Sequence, residues 1–149
     1  MPTFNHPSPM TSQQPVASSS RPLEEIQAPI SLGELIDKIT ILQIKEQHLQ
    51  GNSLNNVRKE LKALQSILKT LDLQVDQNLI DRPKGINLLL WLIEDDIREK
   101  ERKKDFKESF IALARSVYKK NDQRAAIKKE INTRYNSSLT EEKAYNPTD

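Results

Sequence analysis

The chain contains no cysteine. That excludes disulfides, thiolate nucleophiles and thiolate-ligated zinc or iron–sulfur centres, and with them redox chemistry by the polypeptide itself. Three glycines in 149 residues are few for a chain that must turn repeatedly, as sandwiches and barrels do. Helices joined by a handful of loops need little glycine. Aromatic residues make up only 5%, and none interleave with basic residues to stack nucleobases. The longest apolar run, Leu88 to Ile93, is far shorter than the roughly 20 residues of a membrane-spanning helix. The N-terminus has neither the basic stretch nor the apolar core of a secretory signal, so a cytoplasmic location without membrane contact is expected. Charge of one sign is also missing: 23 Lys and Arg face 21 Asp and Glu, and the net charge selects no class of partner. The two histidines, His6 and His48, have no neighbours in sequence that would make a ligand pair or proton shuttle. There is no phosphate-binding glycine loop, nucleophile elbow or H-E-x-x-H. No metal or cofactor is expected.

What is present is helical patterning behind a proline-rich start. Six of the eight prolines fall within residues 1–29, together with Ser18, Ser19 and Ser20. Such a segment buries too little apolar surface to offset the entropy of ordering, and is expected to be a disordered tail ahead of one domain over residues 30–146. Ser31-Leu32-Gly33-Glu34 has the form of a capping box. The hydroxyl accepts a first-turn N–H, and the glutamate is expected to reach back to the Ser31 N–H. Leu32, Leu35, Ile39, Leu42 and Leu49 then recur at helical spacing, with Ile36, Ile41 and Ile44 widening the face. Gly51 is a natural stop and Ser53 a candidate cap for a second helix. In that helix Leu54, Val57, Leu61, Leu64, Leu68, Leu71 and Val75 alternate steps of three and four, the pattern of a coiled-coil-like seam. The short connection makes these two helices an antiparallel hairpin.

Residues 76–85, with Pro83 and Gly85, read as a loop with at most one helical turn. A third helix is expected from about Ile86 through Lys103, with Ile86, Leu89, Leu90, Ile93 and Ile97 inside and Trp91 near the edge. Asp105 to Glu108 offers a second cap, and a fourth helix follows through Phe110, Leu113, Val117, Ile127 and Ile131. Asn121-Asp122 interrupts its stripe, so the helix either runs on, the reading adopted here, or restarts with Asp122 as cap. Asn136 to Ser138 ends it, and a short tail is expected to dock through Leu139 and Tyr145. The fold class is therefore all-α, an antiparallel hairpin completed by two further helices.

Two clusters carry candidate chemistry. Glu94, Asp95, Asp96, Glu99 and Glu101 share the third helix, but only Asp96 and Glu99 are spaced as a metal-binding pair. Arg98 and Lys103 lie one turn away, so an ion-paired solvated face fits better than a metal site. From Lys100 to Arg134 there are twelve basic and five acidic residues, and Arg124 and Lys128 share a face extended by Asn121 and Asn132. Such a stripe could hold a phosphate, a sugar phosphate or a nucleic-acid backbone, or could be an ordinary solvated face. Arg115 lies in an otherwise buried-looking stretch, where a guanidinium would need Glu94 or Asp95 as partner. The candidate ligand-binding residues are Glu94, Asp95, Arg98, Arg115, Asn121, Asp122, Arg124 and Lys128.

The segments Ser31–Lys45, Trp91–Arg98, Phe110–Tyr118, Asn121–Asn132 and Glu141–Tyr145 together resemble a family of small helical bacterial and phage proteins catalogued as a domain of unknown function. The likeness spans about residues 30–146. It implies a helical domain and no catalytic residue, and directs attention to the polar residues inside those segments, Asp37, Lys38, Lys45, Asn132, Glu142 and Lys143 among them. Three readings of function stand. The first is an interaction or oligomerisation module with a protein partner or a second copy. The second is a binder or enzyme for a small anionic ligand in a cationic cleft between helices 3 and 4. The third is nucleic-acid binding through helix 4.

Overall fold

In the computed structural model, residues 21–144 are described. They form four helices and no strand: α1 (Leu32–His48), α2 (Gly51–Thr70), α3 (Asn78–Arg102) and α4 (Glu108–Arg134). Most of the expected tail, residues 1–20, lies outside the described residues. Residues 21–30 are exposed and adopt no regular structure.

The first helix starts where its capping residue predicts. Ser31 Oγ accepts the Glu34 N–H at 3.0 Å, satisfying one of the orphan donors of the first turn. The other half of the capping box does not form, because Glu34 pairs with Lys128 of α4 instead. From this cap α1 runs through the middle of the molecule and packs against each of the other three helices, whereas α2 packs on α1 alone. The widened apolar face of α1 is the reason. Leu32 and Ile36 join Leu79, Ile127 and Ile131 in one buried cluster. Leu35, Ile39 and Leu42 join Val57 and Leu61 of α2 in another. Burial of each such side chain stabilises the fold by about 1.5–3 kcal/mol.

The link between α1 and α2 is shorter than expected. Gly51, at φ 61°, makes the turn that a β-carbon would disfavour, and α2 begins there rather than after Ser53. The stripe of α2 is only partly covered: Val57 and Leu61 are buried, while Ile67 and Leu71 are exposed. The helix stops at Thr70, so Val75 lies beyond it and packs beside the first cluster.

The third helix departs most from expectation. It starts at Asn78, eight residues before Ile86, and Pro83 sits inside it. Its first turn is anchored from elsewhere. Asp76 Oδ1 accepts the Asn78 N–H at 3.0 Å, and the Asp76 N–H donates to the Tyr135 hydroxyl at 2.8 Å. Arg134 pairs with the Asp76 carboxylate at 3.0 Å. A proline early in a helix forfeits one intrahelical donor but keeps a compatible φ, and tertiary contacts here outweigh that loss. Leu79, Pro83 and Asn87 are the buried residues of α3, and Leu89, expected inside, is exposed.

The non-glycine residues with positive φ, Asp72, Lys104 and Asn136, each follow a helix. At Lys104 the closure is a Schellman motif, with Asp105 N–H to the Lys100 carbonyl at 3.0 Å and Lys104 N–H to Glu101 at 3.1 Å. Asp105 is therefore part of the stop signal of α3. The residue flanking α4 is Lys107, which makes no side-chain cap. The fourth helix is continuous through Asn121-Asp122.

Candidate functional site

Where α1, α3 and α4 meet, the fold buries polar side chains. Asp37 and Thr40 project from the inner face of α1 and are fully buried, and Asn87 of α3 is 6% exposed. The Asn87 amide nitrogen donates to Asp37 Oδ1 at 2.8 Å and to Thr40 Oγ1 at 3.0 Å. Arg124 of α4 completes the cluster. Its Nε lies 2.9 and 3.0 Å from the two Asp37 oxygens and its Nη2 lies 2.5 Å from Oδ2. The Asn121 side-chain oxygen lies 3.5 Å from Arg124 Nη1. Hydrogen bonding to Asp37 holds the Arg124 guanidinium above its ordinary range, against the opposing effect of burial. A buried carboxylate, a partly buried guanidinium and the Asn87 amide thus link α1, α4 and α3 by hydrogen bonds.

Above this cluster opens a cleft of about 430 Å3, lined by Ile41 and Ile44 of α1, Asn87, Leu90, Trp91, Glu94, Asp95 and Arg98 of α3, and Arg124. Four of the eight candidate residues thus line one cleft: Glu94, Asp95, Arg98 and Arg124. Asn121 touches it through Arg124. The other three lie elsewhere. Lys128 pairs with Glu34, and Asp122 pairs with Lys143 at 2.6 Å. Arg115 is exposed. It forms no ion pair with Glu94 or Asp95, because the 110–118 stretch presents only Phe110, Leu113, Ser116 and Val117 inward. Glu94 faces Arg98 at 3.8 Å.

The cleft is not strongly cationic, since Arg124 is compensated by Asp37 and Arg98 by Glu94. The basic stripe is neutralised in the same way. Lys129 pairs with Glu142 at 3.5 Å, Arg134 with Asp76 at 3.0 Å and Lys100 with Asp105 at 3.1 Å. Among the described residues no three His, Asp or Glu side chains converge as metal ligands. No helix among them is long and apolar enough to cross a membrane.

A second polar cluster joins the tail to α1. The Gly33 N–H donates to Asn132 Oδ1 at 2.7 Å, and the Leu32 N–H to Ser137 Oγ at 3.2 Å. Ser31 Oγ donates to Glu141 Oε1 at 2.5 Å, and Asn132 Nδ2 to Glu141 Oε2 at 3.2 Å. Two N–H groups of the first turn of α1, those of Leu32 and Gly33, are thus satisfied from residues about a hundred positions later, and that of Glu34 by Ser31 itself. Burial works to raise the Glu141 carboxyl. The hydrogen bonds from Ser31, its own backbone and Asn132, with the nearby Lys128 charge, outweigh it and hold the group below the usual range. The tail docks through Ser137 and Glu141, and Leu139 remains exposed. Tyr145 lies outside the described residues.

The sequence reading did not single out Asn87, Gly33 or Glu141. Polar residues at the positions where a core side chain is due were the available signal.

A four-helix, all-α protein with a buried carboxylate–guanidinium pair between α1 and α4 is what fold and site define. The chain belongs to a family of unknown function, DUF6165, whose sequence profile matches residues 26–148. Comparison with curated proteins and with solved structures finds no match.

Proposed function

We propose that this protein is a cytoplasmic helical self-association module, in which α2 of one copy packs on α2 of a second. The observation behind the reading is the open flank of α2. Among the described helices α2 packs only on α1, and its Leu64, Ile67 and Leu71 wall a groove of about 810 Å3 together with Ile26, Ile30 and Leu73. Ile67 and Leu71 are one turn apart and both exposed, the spacing by which one helix seats against another. Two α1–α2 pairs, each antiparallel, brought together about a two-fold axis make a four-helix bundle, and closed two-fold dimers are the commonest assembly of soluble chains. The coiled-coil-like patterning of α2, too long for the surface α1 covers, then acquires a use.

Light scattering on the full chain tests this. A dimer that becomes a folded monomer on Ile67→Glu with Leu71→Glu is the expected result. A strict monomer of the unaltered chain at roughly 100 μM, well above the dissociation constants of ordinary stable interfaces, would remove the proposal. Nucleic-acid binding has less support, because most cations of α4 and its approach are already paired. An anionic ligand also has less, because Arg124 and Lys128 are engaged by Asp37 and Glu34.

A further inference from the structure

We infer that the cleft between α1, α3 and α4 is a binding site for a small amphipathic amine: a protonated amino group on an apolar or aromatic body. Its volume of about 430 Å3 lies in the range of pockets that enclose small organic ligands. The chemistry of its lining sets the ligand class.

The walls are apolar: Ile41 and Ile44 on one side, Leu90 and Trp91 on the other. The floor is Asn87, more than nine-tenths buried. Its amide nitrogen is fully used on Asp37 and Thr40, while no hydrogen bond to its Oδ1 comes from the described residues. No buried side-chain oxygen or nitrogen among the described residues is left without a partner, so this oxygen must be open to the cleft it lines. An acceptor held rigidly at the floor and open to the cleft offers a donor on the ligand a fixed partner in place of water.

The rim points the same way. Among the described residues Asp95 forms no ion pair, whereas the other charges of the cleft are compensated: Arg124 by Asp37 and Glu94 by Arg98. One carboxylate is thus left to meet a cation. Trp91 adds a π face, which attracts ammonium groups, and His48 packs on it at 4.7 Å between ring centroids. For an anionic ligand the two cations of the lining, Arg98 and Arg124, are already paired with Glu94 and Asp37, which leaves the charge of Asp95 uncompensated against it.

Trp91 is the only tryptophan in the chain, so indole fluorescence reports on this site alone. The test is titration of the full chain with phenethylamine and cyclohexylmethylamine, against phenylacetate and inorganic phosphate at the same ionic strength. Saturable fluorescence change with the amines is expected, with little or none from the anions. Asp95→Asn is expected to weaken amine binding by about tenfold, as loss of one charge-assisted contact would, with an unchanged melting temperature because the residue is exposed and unpaired. Equal or tighter binding of the anions, amine binding indifferent to Asp95→Asn, or no saturable response to either amine at millimolar concentration would each overturn the assignment. Because Asp95 and Trp91 lie on α3, which does not pack on α2, Asp95→Asn is expected to leave the oligomeric state unchanged, and the two proposals stand or fall separately.

Discussion

Replacing Asp37 by alanine removes the centre of the three-helix polar cluster. In the folded chain its carboxylate is 1% exposed and takes three contacts of 2.5–3.0 Å from Arg124 and one of 2.8 Å from Asn87. Truncation leaves a half-buried guanidinium without a counter-ion, halves the hydrogen bonding of the Asn87 amide and opens a small void. Breaking a buried pair from one side costs about 3–5 kcal/mol. The Arg124 side chain is 28% exposed and can recover part of its hydration, so the lower end, about 3 kcal/mol, applies. Against a total stability of roughly 5–15 kcal/mol, that is a large fraction, and for a domain of this size it corresponds to a fall in melting temperature of roughly 12 °C. Urea unfolding followed by far-UV circular dichroism measures it directly. A double-mutant cycle with Arg124→Ala isolates the coupling, and the double variant is expected to be more stable than the sum of the two losses predicts. A loss below about 1 kcal/mol for Asp37→Ala, or strict additivity in the cycle, would refute the view that this pair holds α1 to α4.

Three further outcomes follow from local geometry. A β-carbon on Gly33 would lie 2.5 Å from the Lys128 carbonyl oxygen and 3.0 Å from Asn132 Oδ1. Gly33→Ala should therefore push α1 and α4 apart at a cost of about 1–3 kcal/mol, seen as a lower urea midpoint with an unchanged slope, and an unmoved midpoint would contradict it. Lys104 occupies left-handed backbone at φ 52°, so Lys104→Gly should stabilise the protein by about 1 kcal/mol, measurable by calorimetry. A decrease would show that the Lys104–Glu101 ion pair matters more than the backbone. Glu141 is held below the ordinary glutamate range by its partners. Its charged form thus contributes stability above that range, and the contribution is lost as pH falls through and below it. The stability gap between the unaltered chain and Glu141→Gln should narrow on acidification, and a gap constant with pH would exclude the carboxylate as its source.

The elements legible in the sequence were those whose signals are local. The Ser31 cap and the apolar repeats of α1 and α2 place two helices, and α4 runs on through Asn121-Asp122 although that pair interrupts its apolar stripe. The start of α3 is hidden in the sequence because Pro83 and Gly85 are local breakers, while the side chains that anchor its approach at Asp76, those of Arg134 and Tyr135, lie 58 and 59 residues away. Arg115 was placed inside on the character of its neighbours, but periodicity within 110–118 decides which of them face inward. Asp37 and Arg124 could each be noticed as polar residues within apolar helices. That they bond to one another, 87 positions apart, depends on the packing of α1 against α4, which no spacing encodes. The cleft became visible only when Ile41 and Ile44 of α1 were found opposite Trp91.

The contact between Ser31 and Glu141 joins residues 110 positions apart, and it has a consequence for the order of assembly. During synthesis α1 and α2 emerge first and can pair through local contacts, but the Leu32 and Gly33 N–H groups that open α1 remain bound to water until Ser137 and Asn132 have been made, and the Ser31 hydroxyl until Glu141 has. The opening turn of α1 is completed by residues about a hundred positions further along the chain. A nascent chain stalled or truncated before residue 130 would therefore expose the central helix along the face that later receives α4, and closure of the domain is set as a late, non-local step in an otherwise locally folding helical protein.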